Sequence, residues 1–248
     1  MKISTYEIGQ KTIKFSITNA TKSNCEFEKL EKFPLQHGLN IHDENFIYES
    51  LREIYFIHSE LKVSGKAFII LPHFLTTSRI MSLPVGSRKK INLMIPFQLD
   101  ESLPQGSHSL HWIEEIYPIS KNNTNVCLSI INKDLFQKEV FNNLQEISFY
   151  PSAVTSELSI YSNYFKLNNK KKKSVEFNNL MNSNFVILDM GENQTTGYFF
   201  SRGQLIFNHY SNIGSTNIDE NISDNYNIDI EEARDFKENS SFLLTQED

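Results

Sequence analysis

The residues with the most chemistry within reach are Asp189, Gly191, Thr195 and Thr196, in the run Asp189-Met190-Gly191-Glu192-Asn193-Gln194-Thr195-Thr196. An apolar stretch, Phe185-Val186-Ile187-Leu188, precedes them, and Gly197-Tyr198-Phe199-Phe200 follows. The pattern predicts a buried strand, a tight turn carrying a carboxylate and two hydroxyls, and a second strand pairing back on the first. A weaker copy stands near the N-terminus: Ile3-Ser4-Thr5-Tyr6-Glu7-Ile8-Gly9-Gln10, then Lys11-Thr12-Ile13-Lys14-Phe15-Ser16-Ile17. Such turns present backbone N–H groups and a carboxylate at one mouth, a geometry that can hold the phosphates and metal of a nucleotide. Asp189 is the candidate for a metal contact through water, and Thr195 or Thr196 for a phosphate. The same pattern is equally an ordinary hairpin turn, because Gly accepts positive φ and Asp caps its own turn. Both readings stand for these residues, and two such hairpins far apart suggest a fold with two related halves.

The elements that must position these turns alternate along the chain. Strands are expected near residues 2–8, 12–18, 25–33, 67–71, 79–83, 108–118, 125–131 and 147–150. Helices are expected at 43–60, 87–101, 133–145 and 153–164, the first from the helical recurrence of Phe46, Ile47, Leu51, Ile54 and Ile57. This alternation, with antiparallel hairpins, predicts an α/β protein with mixed sheets. The run from Leu167 to Ser183, holding Lys170-Lys171-Lys172-Lys173, reads as a solvated linker, with contact to anionic lipid headgroups as the second reading.

Composition excludes several function classes. With 248 residues, 39% apolar content, 19 Phe and 10 Tyr, the chain can bury a core and is expected to fold. A net charge of −6 argues against nucleic acid as a partner. Cys25 and Cys127 have no zinc-site spacing and read as free thiols of a reducing compartment. His108 and His111, three apart on an expected strand, would face opposite sides and make no metal site. No G-x-S-x-G, H-E-x-x-H or P-loop motif occurs. No signal peptide opens the chain and no apolar run is long enough to cross a bilayer, so a cytoplasmic location is expected.

A succession of short motifs runs through nearly the whole chain. It starts with Glu7-Ile8-Gly9 before Ile13-Lys14, then Ile69-Ile70-Leu71-Pro72, then Arg79-Ile80-Met81-Ser82-Leu83-Pro84. Next comes Ile91-Asn92-Leu93-Met94-Ile95-Pro96-Phe97-Gln98-Leu99-Asp100-Glu101-Ser102-Leu103-Pro104. After the second hairpin stand Gly203-Gln204-Leu205-Ile206-Phe207, Ile213-Gly214-Ser215-Thr216-Asn217-Ile218 and Glu231-Glu232-Ala233-Arg234-Asp235-Phe236-Lys237. In this order the motifs resemble the actin-like family of bacterial envelope machines that includes PilM of type IV pilus assembly and the cytoplasmic domain of GspL of type II secretion. The segment from Ile95 to His111 is more similar to GspL, and the Gly214 turn with the Glu-Glu-Ala segment is more similar to PilM.

The resemblance implies an actin-like (ribonuclease H-like) ATPase fold with an inserted small α/β subdomain and an incomplete second half. Residues 1–70 and 151–166 would form the first half, 71–150 the insertion, 167–183 the linker, and 184–248 the start of the second half. It implies an ATP and Mg2+ site lined by Glu7, Gly9, Lys14, Asp189, Gly191, Thr195, Thr196 and Gly214. The chain departs from the family pattern at that site. Glu7 stands where Asp is usual, Ser215 follows Gly214 where a second Gly is usual, and the sequence ends at Asp248, before the family's adenine-holding glycine motif. ATP binding is therefore expected to be weak or lost, unless the chain is a fragment of a longer protein. The implied role is a non-enzymatic scaffold at the cytoplasmic face of the inner membrane, linking a bitopic platform protein (PilN- or GspM-like) to a motor ATPase, with a homodimer possible. Phe97, Leu99, Leu103, Trp112 and Tyr117 are the candidate docking residues, with core packing as their other reading. The alternative is a working nucleotide-dependent enzyme of the actin, sugar-kinase and Hsp70 superfamily.

Overall fold

The computed structural model describes residues 1–21, 25–118, 123–168 and 175–239. Strands β1 (Lys2–Ile8), β2 (Thr12–Ala20) and β3 (Cys25–Pro34) form an antiparallel meander. Ser4, Tyr6 and Ile8 of β1 pair with Ile17, Phe15 and Ile13 of β2, and all six are buried on one face. Helix α1 (Phe46–Glu60) covers that face with Phe46, Ile47, Leu51, Ile54 and Ile57, the apolar stripe read from the sequence. The chain then crosses back as β4 (Lys66–Leu71), parallel to β1 from Ile3↔Lys66 to Glu7↔Ile70. A helical crossover is the usual way to join two parallel neighbours.

A second, three-stranded antiparallel sheet is built from β5 (Thr77–Pro84), β6 (Leu110–Pro118) and β7 (Asn123–Asn132), in the order β5-β7-β6. Helix α2 (Arg88–Ser102) lies on it, started by Ser87, whose hydroxyl accepts the Lys90 N–H at 3.4 Å. Ile91, Ile95 and Leu99, four residues apart, pack on Leu83, Leu110, Val126, Leu128 and Ile130. Pro96 removes one helical N–H from this helix. Burial of Ile95 and Leu99 on either side of it holds the helix together.

The helix expected at 133–145 is present in three pieces: α3 (Lys133–Phe136), a π turn (Gln137–Phe141) and α4 (Asn142–Glu146). Asn132 caps it, its Oδ1 accepting from the N–H groups of Asp134 and Leu135 at 2.8 and 3.1 Å.

Two expectations for the next stretch are corrected. Residues 147–150 are not a strand: Ser148, in the left-handed region at φ 55°, ends the helix. The Ser152 N–H donates to the Ala67 carbonyl at 2.7 Å, and the strand β8 (Ala153–Ser156) follows where a helix was expected to begin. It pairs parallel with β4, completing a sheet ordered β3-β2-β1-β4-β8. Helix α5 (Glu157–Asn168) comes only after it. Residues 175–182, expected within a linker, form helix α6 (Val175–Asn182). The lysine run lies outside the described residues.

Strands β9 (Asn184–Met190), β10 (Thr195–Ser201) and β11 (Gln204–Ser211) form a third sheet in the order β11-β10-β9. Strand β9 was expected to be buried. Its Val186, Leu188 and Met190 are instead exposed along one face, because among the described residues no strand or core cluster covers them. Helices α7 (Ser215–Tyr226) and α8 (Ile230–Asn239) close the described chain. Two compact units result: Met1–Phe185 with Phe199–Phe207, and Val186–Tyr198 with Asn208–Asp248.

In the first unit the Tyr6 hydroxyl meets His58 Nδ1 at 2.8 Å, and the Phe149 ring stands 5.1 Å from the His58 ring. Burial pushes the Tyr6 phenol up to about 12 and lowers the His58 imidazole below its ordinary 6.5. An unfolded chain therefore binds more protons than the folded one just below pH 6.5, so folding stability is complete above that value and falls as pH drops through it. Urea unfolding at about pH 7.5 and about pH 5.5 is expected to show a lower midpoint in acid. His58→Gln should remove part of that difference.

Candidate functional site

The two hairpins that carry the expected nucleotide residues each resolve into a self-contained turn. In the first unit, Glu7 and Lys14 sit opposite each other across β1 and β2, with Lys14 Nζ 2.5 Å from Glu7 Oε1. The Gly9 N–H donates to the Thr12 carbonyl at 2.9 Å. A Cβ at Gly9 would come within 2.8 Å of that oxygen, which is why the turn holds Gly.

In the second unit, the Gly191 N–H closes its own turn on the Gln194 carbonyl at 2.8 Å. The turn also receives the start of α7: Ser215 N–H donates to Gly191 O at 3.0 Å, and Thr216 N–H to Glu192 O at 2.8 Å. The Thr195 hydroxyl donates to the Ile213 carbonyl at 2.7 Å, while Thr196 is buried. The Gly214 N–H donates to Asn217 Oδ1 at 2.9 Å. These amides, which at a helix N-terminus would otherwise be free for an anion, are used inside the protein. Asp189 stands in β9, half-buried.

Lys237 of the Glu-Glu-Ala segment finds a structural task that spacing did not reveal. Its Nζ stands 2.5 Å from Oδ1 of Asp219, which is 1% exposed, and Arg234 Nε lies 3.6 Å from Oδ2. The Oδ1 contact is an ion pair without an aligned hydrogen bond. Two cations thus neutralise a buried carboxylate between α7 and α8. Among the described residues no three His, Cys, Asp or Glu side chains gather closely enough to hold a metal ion.

The docking candidates divide sharply. Leu99 is fully buried, and Tyr117 is buried with its hydroxyl donating to the Ser162 carbonyl at 2.7 Å. Burial raises the Tyr117 pKa. These two are core residues, corrected from their docking assignment by the packing of α2 and α5. Leu103 packs partly against the α2 core. Phe97, by contrast, is 71% exposed on the outer face of α2, beside Leu93 at 62%. Trp112 lines a cleft.

That cleft has a volume of about 260 Å³. One wall is formed by His111, Trp112 and Ile113 of β6 with Ser129, Ile130 and Ile131 of β7. The opposite wall is Leu71 of β4 and Val154, Thr155 and Ser156 of β8, with Thr76 and Phe136 completing the lining. Phe136 meets the His111 ring edge to face at 5.7 Å. The Ser129 and Ser156 hydroxyls bond each other at 2.6 Å, and Ser156 donates on to Ser159 at 3.2 Å. Strands β6 and β8, which contribute to the lining, each end their own sheet, and β7, the middle strand of its sheet, supplies the rest of the first wall. The cleft's lining is apolar with a few placed hydroxyls, the character of a site for an extended peptide. Sequence reasoning named Trp112 as a docking candidate but gave no cleft, and it missed β8, whose short run carries no period.

The fold matches a solved PilM–PilN type IV pilus biogenesis complex over 96% of this chain and 70% of that one, with 13% identity and a TM-score of 0.71. The chain has an actin-like fold. This agrees with the fold implied by the PilM and GspL resemblance in the sequence. Two further matches are a Bacteroides thetaiotaomicron protein with an actin-like ATPase fold and the cytoplasmic domain of EpsL, an inner-membrane component of the Vibrio cholerae type II secretion system. The first shares 17% identity over 92% of this chain and 78% of that one, at a TM-score of 0.48. The second shares 9% identity over 86% and 71%, at 0.49. No protein-family model and no curated protein matches the sequence.

The seating of α7 on the second hairpin depends on Gly214. A Cβ there would lie 2.2 Å from the Glu192 carbonyl oxygen, which is backbone and cannot swing aside. Gly214→Ala is expected to cost about 1–3 kcal/mol. Hydrogen exchange should show faster opening across α7 and the hairpin, with β1 and β2 unchanged.

Proposed function

We propose that the protein is an actin-like scaffold of an inner-membrane assembly platform of the type IV pilus or type II secretion kind. In this proposal residues 71–150 are an inserted subdomain, and the cleft between β6 and β8 receives an extended, apolar peptide from the cytoplasmic end of a bitopic membrane partner. The cleft is the observation that carries it: an apolar slot with paired serine hydroxyls, lined in part by β6 and β8, the last strands of their sheets. That one of the matching solved structures is a PilM–PilN complex supports a PilN- or GspM-like partner. The exposed Leu93 and Phe97 on α2 are the proposed contact to a cytoplasmic motor ATPase, since large apolar side chains at one exposed spot favour a protein partner. The site of action is the cytoplasmic face of the inner membrane.

The nucleotide role recedes in this scheme. Glu7 is tied to Lys14, Thr195 to a backbone carbonyl, and the first amides of α7 to the hairpin. A phosphate would have to displace these internal bonds. Calorimetry with Mg-ATP is expected to give no saturable heat. Micromolar binding would favour the alternative, a nucleotide-dependent enzyme.

The test of the cleft uses the lone tryptophan as its reporter. Titrating the chain with the N-terminal cytoplasmic peptide of the membrane partner from the same genome should shift Trp112 emission and saturate. Ser129→Phe, which fills the floor, should weaken binding by about tenfold or more. Saturable binding with no change in Trp112 emission, and no effect of Ser129→Phe, would place the peptide elsewhere. Failure of the chain to capture the peptide at all would remove the scaffold reading.

A further inference from the structure

We propose that the cleft selects a neutral hydrogen-bond donor on its occupant, because a one-way relay through Ser156 to Ser159 fixes the Ser129 hydroxyl as an acceptor. This rests on the reading of the cleft as a binding site, and it adds the chemistry of the group that enters.

The relay begins on β7. Val126, Leu128 and Ile130 pack in the cluster under α2, so Ser129, out of phase with them, points off the other face of the strand. Ser156 ends β8 and stands just before α5, where its Oγ accepts the Ser159 N–H at 3.3 Å in the manner of a helix cap. Ser129 and Ser156 are both buried, and their hydroxyls meet at 2.6 Å. A serine hydroxyl has one proton to give and two lone pairs. Ser156 gives its proton to Ser159 Oγ at 3.2 Å. The bond between Ser129 and Ser156 must then be donated by Ser129. Ser129 keeps lone pairs, and no proton, for whatever enters the cleft. Thr76, in the same lining, spends its proton likewise, on the His73 carbonyl at 3.3 Å.

The occupant's chemistry follows. A group that offers only an acceptor sets lone pair against lone pair at Ser129, and a carboxylate does so with a full charge. The lining holds no Asp or Glu, so an ammonium or guanidinium would be buried without a counter-charge. An apolar group shuts water out from Ser129 and returns no hydrogen bond. A neutral N–H or O–H meets none of these penalties. On an extended peptide that group is a side-chain carboxamide or a hydroxyl.

Ser159 is a positioning residue in this scheme. It stands one hydroxyl behind the cleft, yet its oxygen sets the direction of the relay. Without that oxygen the Ser156 proton turns to Ser129, and the Ser129 proton is released towards the cleft. Ser159→Ala should therefore let the cleft accept a carbonyl that the unaltered chain rejects.

Two small probes of matched shape test this on the whole chain. Benzamide and acetophenone share a ring and a carbonyl, and differ in an NH2 where the other carries CH3. The indole N–H signal of Trp112, the lone tryptophan, reports binding of each by its shift in a nitrogen-15 correlation spectrum. Comparing the two affinities in each variant with those in the unaltered chain cancels the difference in their hydration. Ser129→Ala is expected to cut the advantage of benzamide by about threefold or more. Ser159→Ala is expected to tighten acetophenone by about threefold, a gain that mere loss of structure would not produce. Circular dichroism should show both variants folded. An affinity ratio unchanged by Ser129→Ala overturns the proposal, as does a Ser159→Ala variant that binds acetophenone no better. So does a Trp112 signal that neither probe moves up to about 10 mM. If the probes fail in these ways while the partner peptide still shifts Trp112 emission, the donor rule alone falls. If the probes behave as stated and the peptide does not bind, the membrane-partner reading alone falls.

Discussion

The parallel pairing of β1 with β4 is the constraint on which the first unit depends. After α1 the chain must pass directly beneath the start of β1 before β4 can lie beside it. Gly65 makes that pass, at φ 108°, where a Cβ would stand 2.3 Å from the Lys2 carbonyl oxygen. Only Gly combines that conformation with that clearance. The register thus set, from Ile3↔Lys66 to Glu7↔Ile70, carries outward to β8, which pairs with β4 up to Leu71↔Ser156. Ser156 is thereby delivered to Ser129 of the other sheet, and the two hydroxyls meet at 2.6 Å. The width of the cleft therefore follows from a glycine that touches none of it.

The hairpins show why motif and chemistry can part. An acidic-x-Gly turn offers N–H groups and a carboxylate, and whether a ligand takes them depends on what else reaches them first. At Gly191 and Glu192 the competitor is the start of α7, more than twenty residues along the chain, arriving as Ser215 and Thr216. At Glu7 the competitor is close, the cross-strand Lys14. Local sequence gives the turn in both places. It does not give the partner, because the partner is chosen by the path of the chain between.

The same division between local and long-range information explains what the sequence made legible. Helix α2, expected at 87–101, was readable to within a residue at each end, while the sequence reading had set Leu99, buried beside Ile91 and Ile95, among the docking candidates. That Phe97 faces outward follows from the helical wheel, yet an aromatic residue in an apolar helix invites a core assignment. The actin-like fold was legible through the order of weak motifs, and the match to a solved PilM fold agrees with it. Strand β8 was not legible: four residues, Ala153-Val154-Thr155-Ser156, hold too little pattern to outweigh the helix that follows. Its identity is decided by the Ala67 carbonyl and the free edge of β4, neither of which is local. Strand β9 failed differently, because an apolar run records what a strand can bury and not whether anything lies over it.

Polar groups, and not apolar ones, hold the cleft open. Its walls are mostly aliphatic and aromatic, and an apolar slot between two sheets would tend to collapse to remove its surface from water. Collapse would require β7 and β8 to approach further, but the hydroxyls of Ser129 and Ser156 already meet at hydrogen-bond distance and set the spacing at that point. Ser156 is held in turn by Ser159, and Tyr117 ties β6 to α5 through the Ser162 carbonyl. Each of these groups is buried, so breaking its bond would leave an unsatisfied polar atom, at a cost of about 1–3 kcal/mol. On the remaining side, Asn132 caps α3 and so places Phe136 against His111. The paired hydroxyls and the edge-to-face ring pair thus fix the spacing of the walls from inside the protein.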